Sequence, residues 1–326
     1  MEKKPLRQQI RSVLRWTGWV LLVQFLLINI STAFYADKLT RFYTNLPEGY
    51  SNSSGNIFTK SWKLFTGPRY PRSSNLEAPV FAIDTVRLQT KQGLAINAWY
   101  APADTTAKGT VILFHGIGGS KMTLIDEVNE FRYLGYNIMM VDFRGHGNSE
   151  GNRTTIGYRE AEEVRLAYDF VRQKGEQHIF IYGSSMGAVS VARAVYLYEM
   201  KPSGLILEMP FYSLQTYLKA RATQIGFPAQ PFAFFTSFWI GLEKGFNGYK
   251  HKTTRYAAAI KCPVLLTWGT LDHYVNEKEI RTIYEAIPGP HKRLVVYEGA
   301  SHESLLRKDP EKWRTSTESF LQSLGQ

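Results

Sequence analysis

The sequence predicts an α/β fold built on a mostly parallel, doubly wound sheet. From Gly109 onward, short apolar runs alternate with longer stretches of helical periodicity, and such alternation is typical of parallel strands joined by helical crossovers. Candidate catalytic residues follow the C-terminal ends of three of these runs. That is the edge at which an open parallel sheet holds its ligand site. The chain has 326 residues, 44% hydrophobic and 21% charged, which fits one large globular domain with an appendage.

The predicted elements begin with two alternating strands, residues 80–89 and 94–100, separated by a turn at 91–93. The later strands are predicted at residues 109–114, 178–182, 204–208, 263–268 and 293–297. Helices are predicted near residues 120–134, 157–174, 185–199, 277–286 and 310–324. The stretch between the strands 204–208 and 263–268 is too long for a simple helical crossover, and an inserted lid is predicted at about 211–258.

The pentapeptide Gly183-Ser184-Ser185-Met186-Gly187 lies between a predicted strand and a predicted helix. This is the setting of a nucleophile elbow, in which a serine occupies a sharp turn. Gly183 and Gly187 supply the two positions where a Cβ would collide with the turn. Ser185 is therefore the candidate nucleophile, and the backbone N–H of Met186 is a candidate oxyanion donor at the helix N-terminus.

Three further strand ends carry the residues that a serine nucleophile needs. The strand 109–114 enters His115-Gly116-Ile117-Gly118-Gly119, where Ile117 is the candidate for the second oxyanion N–H. The strand 263–268 is followed by Asp272, and the strand 293–297 by His302. His302 would act as general base and Asp272 would orient it. Glu208 also ends a strand and stays open as an alternative acid.

With these motifs, the sequence resembles the α/β-hydrolase superfamily, and within it the Bem46-type membrane-associated hydrolases and the monoacylglycerol-lipase and serine-aminopeptidase-like group. The resemblance covers residues 81–324 and includes the run Asp142-Phe143-Arg144-Gly145-His146-Gly147-Asn148-Ser149. It implies an α/β-hydrolase fold and a serine hydrolase of esters, thioesters or amides that needs no cofactor. It favours Asp272, in a Gly-x-x-Asp setting, as the acid. It leaves the substrate open, because this fold hosts many activities.

The favoured activity is hydrolysis of carboxylic esters, with a small-molecule or lipid-like substrate. A peptidase or amidase of the same fold and a non-catalytic binding protein are the alternatives. No metal site is expected, because the histidines are scattered and Cys262 is the single cysteine. The net charge of +11 is attributed to an anionic membrane surface and not to nucleic acid, since the basic residues are dispersed and no nucleic-acid motif is present.

The N-terminus predicts a single membrane anchor. Residues 16–36 are uncharged, and 21 residues at about 1.5 Å each can cross a hydrocarbon core of roughly 30 Å. The flank 1–15 holds five basic residues and one acid, which predicts a cytoplasmic N-terminus and a catalytic domain on the non-cytoplasmic side. A cleaved signal peptide is the alternative, because Ser31-Thr32-Ala33 has the spacing of a cleavage site.

Two segments outside the predicted core differ in composition. Residues 37–79 are rich in Ser, Asn, Gly, Pro and aromatics and predict a connector with little regular structure. The catalytic domain is predicted to follow at 80–326.

Within the lid segment, residues 222–242 carry no charge and many aromatic rings. They are interrupted by Gly226, Pro228 and Pro231, so a second span is not predicted. The aromatic face is expected to cover an acyl pocket or to contact the bilayer surface. The sequence leaves the oligomeric state open.

Overall fold

The computed structural model describes residues 5–47, 50–52, 55–75, 78–104 and 106–324. Lys3 and Lys4 of the basic flank lie outside the described residues. The strands are β1 (Phe42–Tyr43), β2 (Tyr70–Pro71), β3 (Asp84–Gln89), β4 (Ala95–Ala101), β5 (Thr110–Phe114), β6 (Asn137–Val141), β7 (Ile179–Ser184), β8 (Gly204–Glu208), β9 (Val264–Gly269) and β10 (Lys292–Tyr297).

The central sheet of the described residues has eight strands in the order β10-β9-β8-β7-β5-β6-β4-β3. Strands β5 to β10 pair in parallel, whereas β4 pairs antiparallel with both β3 and β6. Every residue of β5, β8 and β9 is buried, as expected for strands covered by helices on both faces. The predicted α/β fold with a mostly parallel sheet is confirmed. Strand β3 begins four residues later than predicted, and the side chain of Val80 is fully exposed.

The helices of the core are α3 (Ile125–Tyr133), α4 (Ala161–Gln173), α5 (Met186–Tyr198), α8 (Thr253–Ala257), α9 (Glu277–Ala286), α10 (Leu305–Lys308) and α11 (Pro310–Gln322). Helix α5 packs against α4 and α8, whereas α10 packs against α3 and α11. A 3₁₀ turn at Lys121–Leu124 leads into α3. The first ten residues of α5 are buried, so the elbow is held by a helix in the interior of the protein.

The N-terminal helix α1 (Leu6–Leu39) is longer than the predicted anchor and extends beyond it at both ends. Its 34 residues correspond to about 51 Å. Among the described residues it is the helix whose length and hydropathy would allow it to cross a membrane. Near its C-terminal end Thr32, Tyr35, Ala36 and Leu39 are buried, while most apolar side chains nearer the N-terminus are exposed.

The segment after α1 contains more regular structure than the composition predicted. Helix α2 (Ile57–Thr66) begins at Asn56, whose side chain accepts a hydrogen bond from the N–H of Thr59, a typical N-cap. It packs on α1, because Ser31 Oγ donates to the carbonyl of Phe65 at 2.6 Å. Strands β1 and β2 also pair in parallel. The prediction of little regular structure in this segment is therefore wrong, since contacts with α1 supply stabilisation that a composition analysis omits.

Between β8 and β9 the chain forms α6 (Leu214–Gln224) and α7 (Ala229–Lys244), a 3₁₀ turn at Gly248–Lys250, and α8. Helix α6 begins with a capping box at Ser213. Helix α7 packs against both α6 and α1. The ring of Phe235 lies 5.7 Å from that of Phe25, and the ring of Phe232 lies 4.9 Å from that of Tyr35. The charge-free aromatic stretch therefore meets the N-terminal helix.

Candidate active site

Ser185 occupies a strained turn between β7 and α5. Its backbone has φ 52° and ψ −114°, a conformation that a non-glycine residue adopts only when its surroundings enforce it. The surroundings are tight: a Cβ at Gly183 would lie 2.7 Å from the Ala188 nitrogen, and one at Gly187 would lie 2.2 Å from the Phe114 carbonyl oxygen. Both positions therefore require glycine. This confirms the steric interpretation of the pentapeptide.

The structure brings Ser185, His302 and Asp272 into one chain of hydrogen bonds. Ser185 Oγ lies 2.8 Å from His302 Nε2, and His302 Nδ1 lies 2.7 Å from Asp272 Oδ2. Asp272 Oδ1 accepts the N–H groups of Tyr274 and Val275 at 2.7 and 3.1 Å. The carboxylate is thus fixed by its own loop, and it faces the imidazole. The catalytic roles of the three residues stay predictions that activity measurements can test.

Glu208, the alternative acid, does not bond to His302. It is buried at the end of β8, and its backbone carbonyl accepts the N–H of Ser185 at 2.8 Å. Burial, with a smaller contribution from the nearby carboxyl of Glu127, raises the pKa of Glu208 to about 8. A carboxyl held in its neutral form near pH 7 is a poor stabiliser of an imidazolium. Position and protonation therefore both favour Asp272.

The two predicted oxyanion donors lie on either side of Ser185. Met186 is the first residue of α5, and the N–H groups of a first helical turn have no partner inside the helix. In the turn after β5, the N–H of Gly118 donates to His146 Nε2 at 3.2 Å and that of Gly119 to the Gly116 carbonyl. Among the described residues the N–H of Ile117 has no hydrogen-bond partner. Both N–H groups could therefore bind a substrate oxygen.

Two buried histidines hold this turn in place. His115 Nδ1 donates to the Gly116 carbonyl at 2.7 Å, and its Nε2 accepts the N–H of Phe143 at 3.1 Å. His146 Nδ1 donates to the Arg144 carbonyl at 2.9 Å. Burial lowers the pKa of both histidines, to about 3 for His146, so both are neutral and can accept a backbone N–H. Their role is to fix the shape of the turn.

A buried ion pair that the sequence analysis did not predict also supports the turn. Asp142 Oδ1 accepts the N–H of Lys121 at 2.7 Å, and the ammonium group of Lys121 binds Oδ2 of the same carboxylate. Both side chains are fully buried. A Cβ at Gly147 would overlap the Asp142 carboxylate at 2.2 Å, which explains that glycine. In the sequence, the run Asp142–Ser149 was the available signal for this ion pair. Lys121, the partner of Asp142, lies outside that run.

The loop that contains His146 is also held from the segment that follows α2. Arg72 donates to the carbonyl oxygens of Gly147 at 3.0 Å and Gly151 at 2.9 Å. It also bonds to the carbonyl of Ser149. The predicted connector is therefore bound directly to the loop that supports the oxyanion turn.

A cavity of about 340 Å³ opens beside Ser185. Its walls include Ile117, Glu127, Glu208, Tyr217 and Arg221, together with His302. A smaller cavity of about 210 Å³ shares Ile117, Tyr217 and Arg221 with it and extends to Leu39 at the end of α1. Phe234 and Phe235 do not line either cavity. The expectation that the aromatic stretch covers an acyl pocket is therefore not met by these rings, because α7 turns toward α1.

The remaining metal-ligating and nucleophilic side chains form no second candidate site in the described part of the chain. No three His, Cys, Asp or Glu side chains converge there in a way that could hold a metal ion. Burial raises the pKa of the Cys262 thiol to about 12, which makes the nucleophilic thiolate scarce at neutral pH.

The model of the family described as serine aminopeptidase, S33 matches residues 105–242 and 244–310. The chain belongs to this family of α/β hydrolases. The match covers more than half of the sequence and contains Ser185, Asp272 and His302. The resemblance to α/β hydrolases that the motifs indicated is confirmed.

Individual relatives are distant. The chain is 26% identical over 231 residues to the uncharacterized protein YqkD of Bacillus subtilis, covering 69% of this chain and 74% of that protein. It is 24% identical over 198 residues to the lysophosphatidylserine lipase ABHD12 of Macaca fascicularis, covering 57% of this chain and 47% of that protein. Among solved structures, the Pyrococcus furiosus esterase Pf2001 superposes with a TM-score of 0.67 at 23% identity, covering 78% of this chain and 97% of that one. The structural likeness shows the fold.

Proposed function

We propose that this protein is a serine hydrolase that cleaves carboxylic esters through an acyl-enzyme formed on Ser185. The observation that carries the proposal is the hydrogen-bonded chain from Ser185 Oγ through His302 to Asp272, at 2.8 and 2.7 Å. Ser185, the first residue of this chain, lies on a strained elbow beside a cavity. A serine hydroxyl is a weak nucleophile unless a base takes its proton in the transition state.

In the acylation step, Ser185 Oγ attacks the ester carbonyl carbon and transfers its proton to His302 Nε2. Asp272 stabilises the imidazolium that forms, and the N–H groups of Ile117 and Met186 bind the negative oxygen of the tetrahedral intermediate. When the intermediate collapses, the bond to the alcohol oxygen breaks and His302 gives its proton to that oxygen. The alcohol leaves, and the acyl group remains on Ser185.

In the deacylation step, His302 takes a proton from a water molecule as the water oxygen attacks the acyl carbon. Collapse of the second tetrahedral intermediate breaks the bond to Ser185 Oγ, which receives the proton back from His302. The products are a carboxylic acid and an alcohol, and the protein returns to its starting state. The chain of groups serves both steps because an imidazole can act first as base and then as acid.

Aminopeptidase activity is the second candidate function, and the carboxyl groups of Glu127 and Glu208 in the cavity favour it. An α-ammonium group would need a charged acidic partner near Ser185. Burial raises the pKa of both carboxyls, to about 8 for Glu208, which shifts them toward the neutral form at pH 7. The guanidinium of Arg221 faces the same cavity and would repel an ammonium group. The charges of the cavity therefore favour ester substrates over peptides with a free α-ammonium group.

Lipid-like esters are the favoured substrate class. The smaller cavity connects the region of Ile117 with Leu39 at the end of α1 and Phe42 of β1, so a substrate arriving along α1 would reach the candidate oxyanion turn. The similarity to the lysophosphatidylserine lipase ABHD12 supports the same class.

We also propose that α1 is a retained membrane anchor, with the catalytic domain on the non-cytoplasmic side. Phe25 lies before the candidate cleavage site, and Ser31 is its first residue. The ring of Phe25 contacts that of Phe235 on α7, and Ser31 donates to the carbonyl of Phe65 on α2. Removing residues up to the cleavage site would break both contacts. The basic residues of the flank support the orientation.

Helices α2 and α7 would then lie against the same bilayer. Phe25 lies within the predicted span 16–36, and Phe235 of α7 contacts it. The outward side chains Phe234 and Phe238 of α7 are about half exposed, which is compatible with lipid contact. On α2, Trp62 is exposed and its ring lies 6.3 Å from that of Phe34, at the level expected for an interfacial aromatic residue.

Labelling with a fluorophosphonate probe tests the catalytic proposal. The full-length protein in detergent micelles should become covalently labelled on Ser185, whereas the Ser185→Ala variant should not. Hydrolysis of p-nitrophenyl esters of increasing acyl length, measured beside aminoacyl anilides, separates the two candidate activities. Faster cleavage of anilides than of esters would replace the esterase proposal by the aminopeptidase alternative, and an unlabelled wild type would contradict both.

Membrane fractionation tests the anchor. The protein should stay in membranes through carbonate extraction, and a C-terminal tag should be on the non-cytoplasmic side in protease-protection experiments. Recovery of a soluble form that begins near Phe34 would show a cleaved signal peptide instead.

A further inference from the structure

Arg221 on α6 stands out among the charged groups of the active-site region. Its side chain lines both the cavity beside Ser185 and the smaller cavity that leads to α1. One guanidinium nitrogen donates to the hydroxyl of Tyr274 at 3.2 Å, and the other terminal nitrogen donates to the hydroxyl of Tyr70. The guanidinium also lies 5.3 Å from the centre of the Tyr70 ring. Three tyrosine side chains, those of Tyr70, Tyr217 and Tyr274, surround it.

Arg221 has no acidic partner among the described residues. Two other enclosed arginines of the domain form ion pairs, Arg144 with Glu163 at 2.6 Å and Arg132 with Asp104 at 2.7 Å. Buried Arg193 instead donates to the Tyr158 carbonyl and lies over the Tyr158 ring. The neighbours of Arg221 are neutral phenols, and burial raises the pKa of Tyr70 and Tyr217 further. An enclosed cation without a counter-charge favours the binding of a negative group beside it.

The hydrogen-bonding capacity around Arg221 is also incompletely used. A guanidinium has five N–H donors, and bonds to Tyr70 and Tyr274 use two of them within the described residues. The Tyr274 hydroxyl donates a hydrogen bond to Gln224 Oε1 at 2.8 Å. The Tyr70 hydroxyl accepts from Arg221 and finds no acceptor for its proton in the part of the chain that the structure describes. The Arg221 guanidinium and the Tyr70 hydroxyl can therefore each donate a hydrogen bond to an additional acceptor.

We propose that Arg221 and Tyr70 bind an anionic group of the substrate, a phosphate or a carboxylate, while the ester group of the same molecule lies at Ser185. The proposal rests on the esterase function proposed above and names its substrate class. Guanidinium groups match the oxygens of phosphates and carboxylates with paired hydrogen bonds. Tyr70 belongs to β2, in the segment that joins α2 to the catalytic domain. The anion site is thus built jointly by the catalytic domain and the segment next to the anchor.

A substrate comparison on the full-length protein in micelles tests this site. The three esters are 1-oleoylglycerol, which is neutral, 1-oleoylglycerol 3-phosphate, and the oleoyl ester of glyceric acid, which carries a carboxylate. The readout is the ratio of kcat/KM for each anionic ester to that for the neutral ester, from release of oleate. The wild type should prefer at least one anionic ester, and the choice between the two identifies the anion.

Arg221→Gln should lower this ratio by about 10- to 100-fold, which corresponds to the loss of a hydrogen bond to a charged group. Arg221→Lys should give an intermediate ratio, because it keeps the charge and loses the paired geometry. Tyr70→Phe should lower the ratio by about 3- to 10-fold. Lys219→Gln is the matched control: it removes a positive charge from the same helix at an exposed position and should leave the ratio within about twofold of the wild type.

Protection from labelling gives a second readout that does not need turnover. The phosphate ester should slow the reaction of Ser185 with a fluorophosphonate in the wild type, and less so in Arg221→Gln. An unchanged ratio in Arg221→Gln, an equal loss on all three esters with a lowered Tm, or an equal shift in Lys219→Gln would overturn the anion site. Failure of the probe to label wild-type Ser185 would instead overturn the esterase proposal itself.

Discussion

The hydroxyl of Ser304 donates a 2.6 Å hydrogen bond to Oε1 of Glu127, which joins the loop of His302 to helix α3. Glu127 is almost fully buried, and burial raises its pKa. A second contact, between Arg307 and Asp126 at 2.5 Å, connects α10, which follows the His302 loop, to α3 at the surface. His302 therefore depends for its position on α3 as well as on Asp272. This relationship makes Glu127 a candidate positioning residue.

Glu127→Ala should lower kcat for ester hydrolysis by about tenfold with little change in KM, because the His302 loop loses its buried attachment. Glu127→Gln should restore most of the activity, since an amide oxygen can accept the same hydrogen bond. Steady-state kinetics on a short-chain p-nitrophenyl ester measures both. Asp126→Ala, which removes the surface contact, serves as control and should have a smaller effect. Equal losses in the Ala and Gln variants would contradict the positioning role.

Ser185→Ala and Asp272→Asn should each lower kcat by about three or more orders of magnitude while leaving the far-UV circular dichroism spectrum unchanged. The first substitution removes the nucleophile. The second removes the negative charge that faces His302 Nδ1 at 2.7 Å. Glu208→Gln is the matched comparison for the alternative acid and should reduce kcat far less. If Glu208→Gln abolishes activity and Asp272→Asn does not, the assignment of the acid is wrong.

Stability should depend on pH through Glu208. Its pKa is about 8 in the folded protein against an ordinary value of 4.5, so the folded state binds more protons between these values. The stabilising contribution is complete below about pH 4.5 and is lost as the pH rises toward 8. The loss is at most about 5 kcal/mol, at 1.36 kcal/mol per pKa unit.

Thermal unfolding of the wild type and Glu208→Gln, measured from pH 5 to pH 8.5, checks this dependence. The Tm of the wild type should fall relative to that of the variant as the pH rises. Parallel curves for the two proteins would show that Glu208 does not carry the effect.

The contact between α7 and α1 should contribute to stability through Phe232. Its ring is buried and lies 4.9 Å from Tyr35 and 5.4 Å from Phe227. Phe232→Ala should destabilise the protein by about 3 kcal/mol, the usual effect of removing a buried aromatic ring. Phe238→Ala, at a position about half exposed on the same helix, should change stability by less than about 1 kcal/mol. Thermal unfolding in detergent micelles compares the two, and equal effects would contradict the packing of α7 on α1.

Much of the fold could be predicted because its signals are local. Alternation of apolar runs with helical stretches reports which segments are covered on both faces, and it predicted helix α9 with the observed bounds. The elbow could be recognised because Gly183 and Gly187 are imposed by contacts a few residues away or with the neighbouring strand. Ser185, Asp272 and His302 could be proposed together because parallel strands end at one edge of the sheet.

The tertiary structure decided the features that depend on residues distant in sequence. Arg221 lies 151 positions from Tyr70, and Lys121 lies 21 positions from Asp142. No sequence pattern indicates that either pair is in contact. Composition alone does not decide whether the aromatic stretch of α7 lines a cavity or contacts a membrane. Its position against α1 follows only from packing, because burial of an apolar face is not directional and takes whichever complementary surface the folded chain brings nearby.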